Sequence, residues 1–249
     1  MNRILMTMVL ATLIPAVALV EVACTRGALD KAKQAELALI VQGGLMYDDW
    51  GKTLGKALPK QIHPSYLSTG GKAQGADTWR CRECHGWDYR GKEPDYSSGN
   101  HFSGFRGIHE VLGGNEISIL SHLKSTGHRF GEHLSGQDLD ALVLFITKGQ
   151  MDMEPFIDRK SKKAKGDPAA GASLYRDTCA PCHGDDGKKL RLGDEKNIVT
   201  LGASAQENPW RALHKIRFGE PGQNAPPLLG APVQQQVDVL AHVQTLPAR

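Results

Sequence analysis

The chain has 249 residues, and its 30 basic and 27 acidic side chains leave a formal charge of only +3. This balance excludes the strongly basic field that nucleic-acid binding requires. Hydrophobic residues make up 40% and charged residues 23%, as in ordinary globular proteins, so wholesale disorder is also excluded. The length alone allows either one large domain or two small ones.

The N-terminus has the pattern of a targeting segment. Met1 to Arg3 supplies a short positive region, and residues 4–20 are apolar or neutral. We predict a signal peptide over residues 1–23 and therefore an exported protein. Lipidation at Cys24 and retention as an uncleaved anchor stay open alternatives, and either would tether the protein to a membrane through its N-terminus.

Four of the five cysteines fall into two identical C-x-x-C-H spacings, which is the signature of haem c attachment. Two thiols on one turn can each form a thioether with a porphyrin vinyl group, and the histidine that follows is placed beneath the iron. The sequence therefore predicts two covalently bound haem c groups. The predicted thioether residues are Cys81, Cys84, Cys179 and Cys182, and the predicted iron ligands on the proximal side are His85 and His183.

Disulfides, a zinc site and a thioredoxin-type redox pair are the alternatives for these cysteines. Zinc ribbons separate their two C-x-x-C pairs by about 15–20 residues, whereas Cys84 and Cys179 lie much further apart. A thioredoxin motif needs a strand-helix-strand surround, and the flanks here are glycine-rich and helical. Both comparisons favour haem.

The two motifs anchor a loose internal repeat. A helix is predicted to begin at Asp167-Pro168 and to run through Gly171 and Tyr175 into the second motif. Residues 75–79 are expected to lead into the first motif in a similar way.

Each copy also closes with an apolar helix. The first begins after Ser135 and ends at Gly149, and the second runs from Val233 to Leu246 with Pro247 as its stop.

A helix with a small residue and an aromatic residue one turn later, placed before C-x-x-C-H, resembles the start of the small haem domains of the cytochrome c family. The resemblance implies a mainly α fold of two cytochrome c-like helical domains in tandem, each wrapped around one covalent haem. The predicted segments are an N-terminal helical arm and wrap (24–70), a first domain (71–157), a linker (158–167) and a second domain (168–249).

The wider resemblance, over roughly residues 40–249, is to proteobacterial di-haem cytochromes c, which implies a periplasmic protein. It implies that Met153 is the sixth ligand of the first iron. Met151 is the alternative, and several histidines of the same domain are competing donors. They are His101, His109, His122, His128 and His133.

The second domain departs from the family pattern at its sixth ligand. Ala225 stands where the resemblance implies a methionine, and no methionine follows Met153. His214 is the nearest donor and His242 the next; otherwise solvent or an external ligand fills the position. Trp210 and Arg217 are candidates to bind the haem propionates.

The predicted function is electron transfer between redox proteins that the sequence does not identify, with no nucleic acid involved. The alternative is a di-haem redox enzyme in which the second haem, without an axial methionine, binds and converts a small molecule. A haem-based sensor is the third reading, and it lacks a visible output element.

Overall fold

The computed structural model describes residues 16–68, 71–93, 102–193 and 198–249. Contacts divide the chain into Met1–Glu36 and Leu37–Arg249. Residues 16–36, the described part of the first unit, are helical, and the rest of the fold concerns the second unit. Residues 1–15 of the predicted targeting segment lie outside the described residues. Across the described ranges, no helix is both long enough and apolar enough to cross a membrane.

The fold is mainly helical, as the sequence predicts. Its α-helices are α1 (Ala16–Leu54), α2 (Cys81–His85), α3 (Glu116–Lys124), α4 (Gly136–Leu144), α5 (Pro168–Thr178), α6 (Ala180–His183), α7 (Leu201–Glu207), α8 (Pro209–Phe218) and α9 (Val233–Val243). Within the described residues, two antiparallel pairs are formed by β1 (Ile157–Asp158) with β2 (Lys163–Ala164) and by β3 (Leu192–Gly193) with β4 (Ile198–Val199). Short 3-10 helices lie at Pro64–Ser68, Gly75–Trp79, His109–Val111 and Phe130–Glu132.

Helix α1 changes direction at Asp49, whose φ of −155° and ψ of 92° are not helical. The Asp49 side chain accepts a hydrogen bond from the Lys52 amide at 3.0 Å, as an N-cap residue does. Asp49 therefore ends one helical segment and caps the next.

The first helix crossing joins α1 to α4. A Cβ atom at Gly43 would overlap the carbonyl group of Ala141, so only glycine allows the two helices to approach this closely. One turn later, the Tyr47 hydroxyl donates to the carbonyl of Gly86 at 2.5 Å, directly after the first C-x-x-C-H motif. The expectation that residues 75–79 form the helix of this copy is wrong: Gly75–Trp79 is a 3-10 turn, and α1 makes the crossing.

The second crossing joins α5 to α9 in the same way. A Cβ atom at Gly171 would overlap the carbonyl group of Asp238, and the Tyr175 hydroxyl donates to the carbonyl of Gly184 at 2.6 Å. Asp167 caps α5 by accepting from the Ala169 amide at 2.8 Å. The helix predicted from this sequence is confirmed.

The closing helices are also confirmed. Ser135 and Asp138 form a capping box at the start of α4, and α4 continues into a π-helical turn at Phe145–Gly149. Helix α9 ends at Val243, three residues before the predicted Leu246.

The predicted linker, residues 158–167, forms an ordered turn rather than a free connection. Most of it lies in the β1–β2 hairpin, and Lys162 in its turn has a φ of 57°. Arg159 donates to the carboxylate of Asp88 at 2.7 Å, which ties the hairpin to the first motif. The Ala164 amide donates to the side-chain oxygen of Gln244 at 2.9 Å, which ties it to α9.

Candidate haem sites

The first C-x-x-C-H motif is the whole of helix α2, which ends at Gly86 with a φ of 78°. Burial raises the pKa of the Cys81 thiol to about 12. Burial, with the neighbouring Cys81 and Glu83, also raises the pKa of Cys84 to about 12. The thiols are therefore protonated at neutral pH while they carry no bound group.

His85 has one ring nitrogen engaged. Its Nδ1 lies 2.7 Å from the carbonyl oxygen of Arg106, and a carbonyl can only accept, so Nδ1 carries the proton. The lone pair is then on Nε2. This carbonyl contact is the arrangement that fixes the tautomer and orientation of a metal-binding histidine.

The second motif repeats the geometry of the first. Cys179 directly precedes α6, which ends at Gly184 with a φ of 80°. Burial, with the neighbouring Cys182, raises the pKa of the Cys179 thiol to about 11. The Nδ1 atom of His183 is buried and has no hydrogen-bond partner among the described residues.

These residues fit haem c. Each motif offers two unpaired thiols, with no disulfide among the described cysteines, and an imidazole on the following residue. Buried donors at Trp210 Nε1 and Arg217 Nε also lack an acceptor in the described part of the chain. A carboxylate such as a haem propionate would satisfy donors of this kind. Bound haem supplies an iron that takes up and releases one electron at a potential set by its axial ligands.

Met153, the predicted sixth ligand of the first iron, is only 1% exposed, and it packs within the hydrophobic core. Its backbone carbonyl accepts from the amides of Phe156 and Ile157 at 3.0 Å each. Met151 is partly buried against the same core. Iron ligation by Met153 stays a prediction.

The competing histidines have different surroundings. His133 packs on two tryptophans, with ring centroids 6.0 Å from Trp50 and 4.9 Å from Trp79. His122 is exposed on α3. His128 faces His85, with ring centroids 6.2 Å apart and ring planes 14° from parallel.

His101 lies outside the described residues. His109 has a buried Nδ1 with no partner among the described atoms. His63, which the sequence analysis did not single out, is buried beside His128 and lies 3.0 Å from its carbonyl oxygen. No periodic or spacing signal marks His63, because it lies in an irregular segment whose partners are distant in sequence.

His214 is not placed to bind the second iron, contrary to its candidacy in the sequence. Its Nε2 donates to the carbonyl of Gly44 at 3.0 Å, which leaves Nδ1 to accept from the Tyr89 hydroxyl at 2.7 Å. Both nitrogens are thus engaged. Burial lowers the pKa of His214 to about 3, so the ring is neutral at physiological pH. The other candidate, His242, packs on Tyr175 with ring centroids 5.0 Å apart.

A buried carboxylate connects the first motif to α8. Asp48 is 1% exposed and forms ion pairs with Arg80 at 2.8 Å and with Lys215. Burial alone would raise the pKa of Asp48, but the charges of Lys215 and Arg80 outweigh it and lower the pKa to about 2. The guanidinium of Arg82 adds a further contact at 3.6 Å. Asp48 is therefore the counterion of a basic cluster beside the first site.

Comparison with known proteins identifies the class of the second segment. Residues 166–242 match the family model described as "Cytochrome C oxidase, cbb3-type, subunit III". The matched segment contains α5, the second motif and nearly all of α9, so a c-type cytochrome domain occupies this part of the chain. A c-type cytochrome carries covalent haem c, which confirms the predicted kind of cofactor.

A particular relative extends the similarity beyond that segment. The chain is 27% identical over 216 residues to the gluconate 2-dehydrogenase cytochrome c subunit of Pantoea cypripedii. The match covers 76% of this chain but 45% of that protein, so this chain spans less than half the length of its relative.

Proposed function

We propose that this protein is a periplasmic di-haem cytochrome c that transfers electrons between redox partners. One haem is bound by Cys81, Cys84 and His85. The other is bound by Cys179, Cys182 and His183.

The main support for this proposal is that the same set of contacts surrounds both motifs. In each copy a glycine permits a close helix crossing, and a tyrosine one turn later donates to the glycine carbonyl that follows C-x-x-C-H. The pairs are Tyr47 with Gly86 at 2.5 Å and Tyr175 with Gly184 at 2.6 Å. Since the second copy lies within the matched cytochrome segment, the equivalent first copy supports a second haem domain.

We also propose a revised boundary for the first haem domain. The sequence places it at residues 71–157, after an arm of residues 24–70. The crossing of α1 with α4 at Gly43 instead favours a domain that includes α1 from about residue 37 onward.

Haem content tests the proposal directly. Intact-mass measurement and a haem assay of the exported protein should give two covalent haems per chain. Replacing Cys81 and Cys84 by alanine should remove one haem, and replacing Cys179 and Cys182 should remove the other. A wild-type protein with one haem, or with none at the first motif, contradicts the di-haem reading.

The relative's name suggests the class of electron donor. We propose that a dehydrogenase of a small organic substrate reduces this cytochrome, as a partner subunit or as a separate protein. A gluconate 2-dehydrogenase lacking its own cytochrome subunit is a suitable probe. Reduction of this protein's haems on addition of gluconate supports the proposal, and failure while an artificial acceptor is reduced argues against that donor.

A specific observation favours a second candidate, a redox enzyme that acts at the second haem. Ala225 stands in place of the expected methionine, and both nitrogens of His214 are engaged elsewhere. An open second iron binds carbon monoxide when reduced. Carbon monoxide binding to half of the haem, abolished by Ala225→Met, would show the open site. Turnover of a small molecule such as peroxide that is lost in the same variant supports this candidate, and a lack of any carbon monoxide response excludes it.

A further inference from the structure

We propose that His128 is the sixth ligand of the first iron, on the side opposite His85. The inference rests on the proposed haem at the first motif. It replaces the methionine that the family resemblance implies with a second imidazole.

The separation of the two rings is the first observation. An imidazole nitrogen lies about 2.0–2.1 Å from a bound first-row metal ion and about 1.1 Å from its own ring centroid, so two imidazoles on opposite sides of one ion have centroids roughly 6.3 Å apart. The centroids of His85 and His128 are 6.2 Å apart. Their planes differ by 14°, so both rings can stand perpendicular to one porphyrin plane.

The His85 ring is also held through a backbone carbonyl. Its Nδ1 donates to the carbonyl of Arg106 at 2.7 Å. Nε2 of His85 therefore keeps the lone pair that a metal requires, on the nitrogen that is not engaged.

The segment before the first motif fixes the backbone that carries His128. The Ser65 hydroxyl donates to the carbonyl of Gly127 at 2.7 Å, and His63 donates to the carbonyl of His128 at 3.0 Å. The next residue, Arg129, has a left-handed φ of 59°, which is uncommon for a residue with a side chain. Two clamped carbonyls and a strained neighbour hold His128 in one position, as a ligand that must meet the iron requires.

The choice of ligand changes what the first haem does. An axial methionine raises the potential of a haem c iron, so two imidazoles give the first haem a lower potential than histidine with methionine. If the second haem lacks an axial methionine as well, neither iron has one. This protein then operates at lower potentials than the family resemblance implies.

Near-infrared magnetic circular dichroism of the oxidised protein distinguishes the two ligands, because only a methionine–iron bond gives a sulfur-to-iron charge-transfer band. We expect no such band in the wild-type protein. We expect His128→Ala to convert one of the two haems to a high-spin, carbon monoxide-binding form. Added imidazole should restore the low-spin spectrum of that haem.

Met153→Leu is the matched control, and it should leave the spectra unchanged. A methionine–iron band in the wild type overturns the proposal, whether Met153→Leu abolishes it or Met151 supplies the ligand, and makes the His85–His128 approach a packing contact only. Unchanged low-spin spectra in His128→Ala also overturn it. If His128→Ala does not mature, the wild-type and Met153→Leu spectra still decide. Haem content is measured separately, so fewer than two haems per chain contradicts the proposed function rather than this ligand.

Discussion

His214→Gln should flatten the dependence of protein stability on mildly acidic pH. Burial lowers the pKa of His214 from 6.5 to about 3 in the folded protein. Above pH 6.5 the ring is neutral in both the folded and unfolded states, and its contribution to stability is fully present. As the pH falls, the unfolded chain binds a proton that the native ring binds only near pH 3, so stability is lost in that window.

The expected size follows from one proton. Each pH unit inside the window lowers the free energy of unfolding by about 1.4 kcal/mol, so the step from about pH 6 to about pH 5 should cost roughly 1 kcal/mol. Glutamine can still accept from Tyr89 and donate to Gly44, but it does not titrate. The variant's lost ring packing lowers its stability at every pH, whereas this slope depends on the titrating group.

Urea unfolding of the holoprotein, followed by far-ultraviolet circular dichroism at several pH values from 7.5 to 4.5, measures the slope. The control is His122→Gln, which makes the same substitution at an exposed position. Parallel profiles for the wild type and His214→Gln refute the reasoning. They would mean that the buried ring takes up its proton as readily in the native state as in the unfolded state.

Three further predictions concern the packing around the two motifs. Gly171→Val should lower the free energy of unfolding by about 1–3 kcal/mol, because the new side chain forces α5 and α9 apart. The control, Ala170→Val on the exposed face of α5, should lower it by less, and thermal unfolding of the two variants compares them. Tyr47→Phe removes the shorter of two hydrogen bonds to the buried Gly86 carbonyl and leaves the Tyr89 amide at 3.4 Å, so it should cost about 0.5–1.5 kcal/mol in urea unfolding. Asp48→Asn removes the buried partner of Arg80 and Lys215; because these cations keep Asp77 and Glu220 as further partners, the loss should be about 1–3 kcal/mol by the same assay. Losses below about 0.5 kcal/mol contradict these contacts.

The elements that the sequence predicted well are those whose signals are local. Asp167-Pro168 at the start of α5 and Ser135 with Asp138 at the start of α4 are capping patterns contained within four residues. The two C-x-x-C-H motifs are equally local. The first forms α2, Cys179 of the second directly precedes α6, and both helices end at a glycine of positive φ.

The misassigned helix of the first repeat has a physical reason. In the second copy Tyr175 lies four residues before Cys179, so the crossing helix leads directly into the motif. In the first copy Tyr47 lies 39 residues before its partner Gly86, because an irregular segment is inserted between the helix and the motif. A comparison of the residues next to each motif therefore selects residues 75–79, because Trp79 is an aromatic residue near the position that corresponds to Tyr175.

The roles of side chains whose partners are distant in sequence could not be predicted from the sequence. His214 is a reasonable donor when only its own helix is considered, but its partners Gly44 and Tyr89 lie 170 and 125 residues away. His128 was one of five competing histidines in the sequence. Only the approach of its ring to His85 separates it from the others.

Helix α8 connects the surroundings of the two motifs into one unit. Helix α8 belongs to the matched cytochrome segment. Its His214 accepts a hydrogen bond from the Tyr89 hydroxyl beside the first motif, and its Arg217 donates to the carbonyl of Gly149 at 2.7 Å. These contacts are buried, and a buried polar group that loses its partner is costly, so hinge motion between the two segments is opposed. The two proposed haems would then keep a fixed separation. The rate of electron transfer between them would then depend on that distance and on the two reduction potentials, and not on a diffusive encounter of domains. A fixed distance between haems is what a two-haem relay needs, and two separate single-haem carriers lack it.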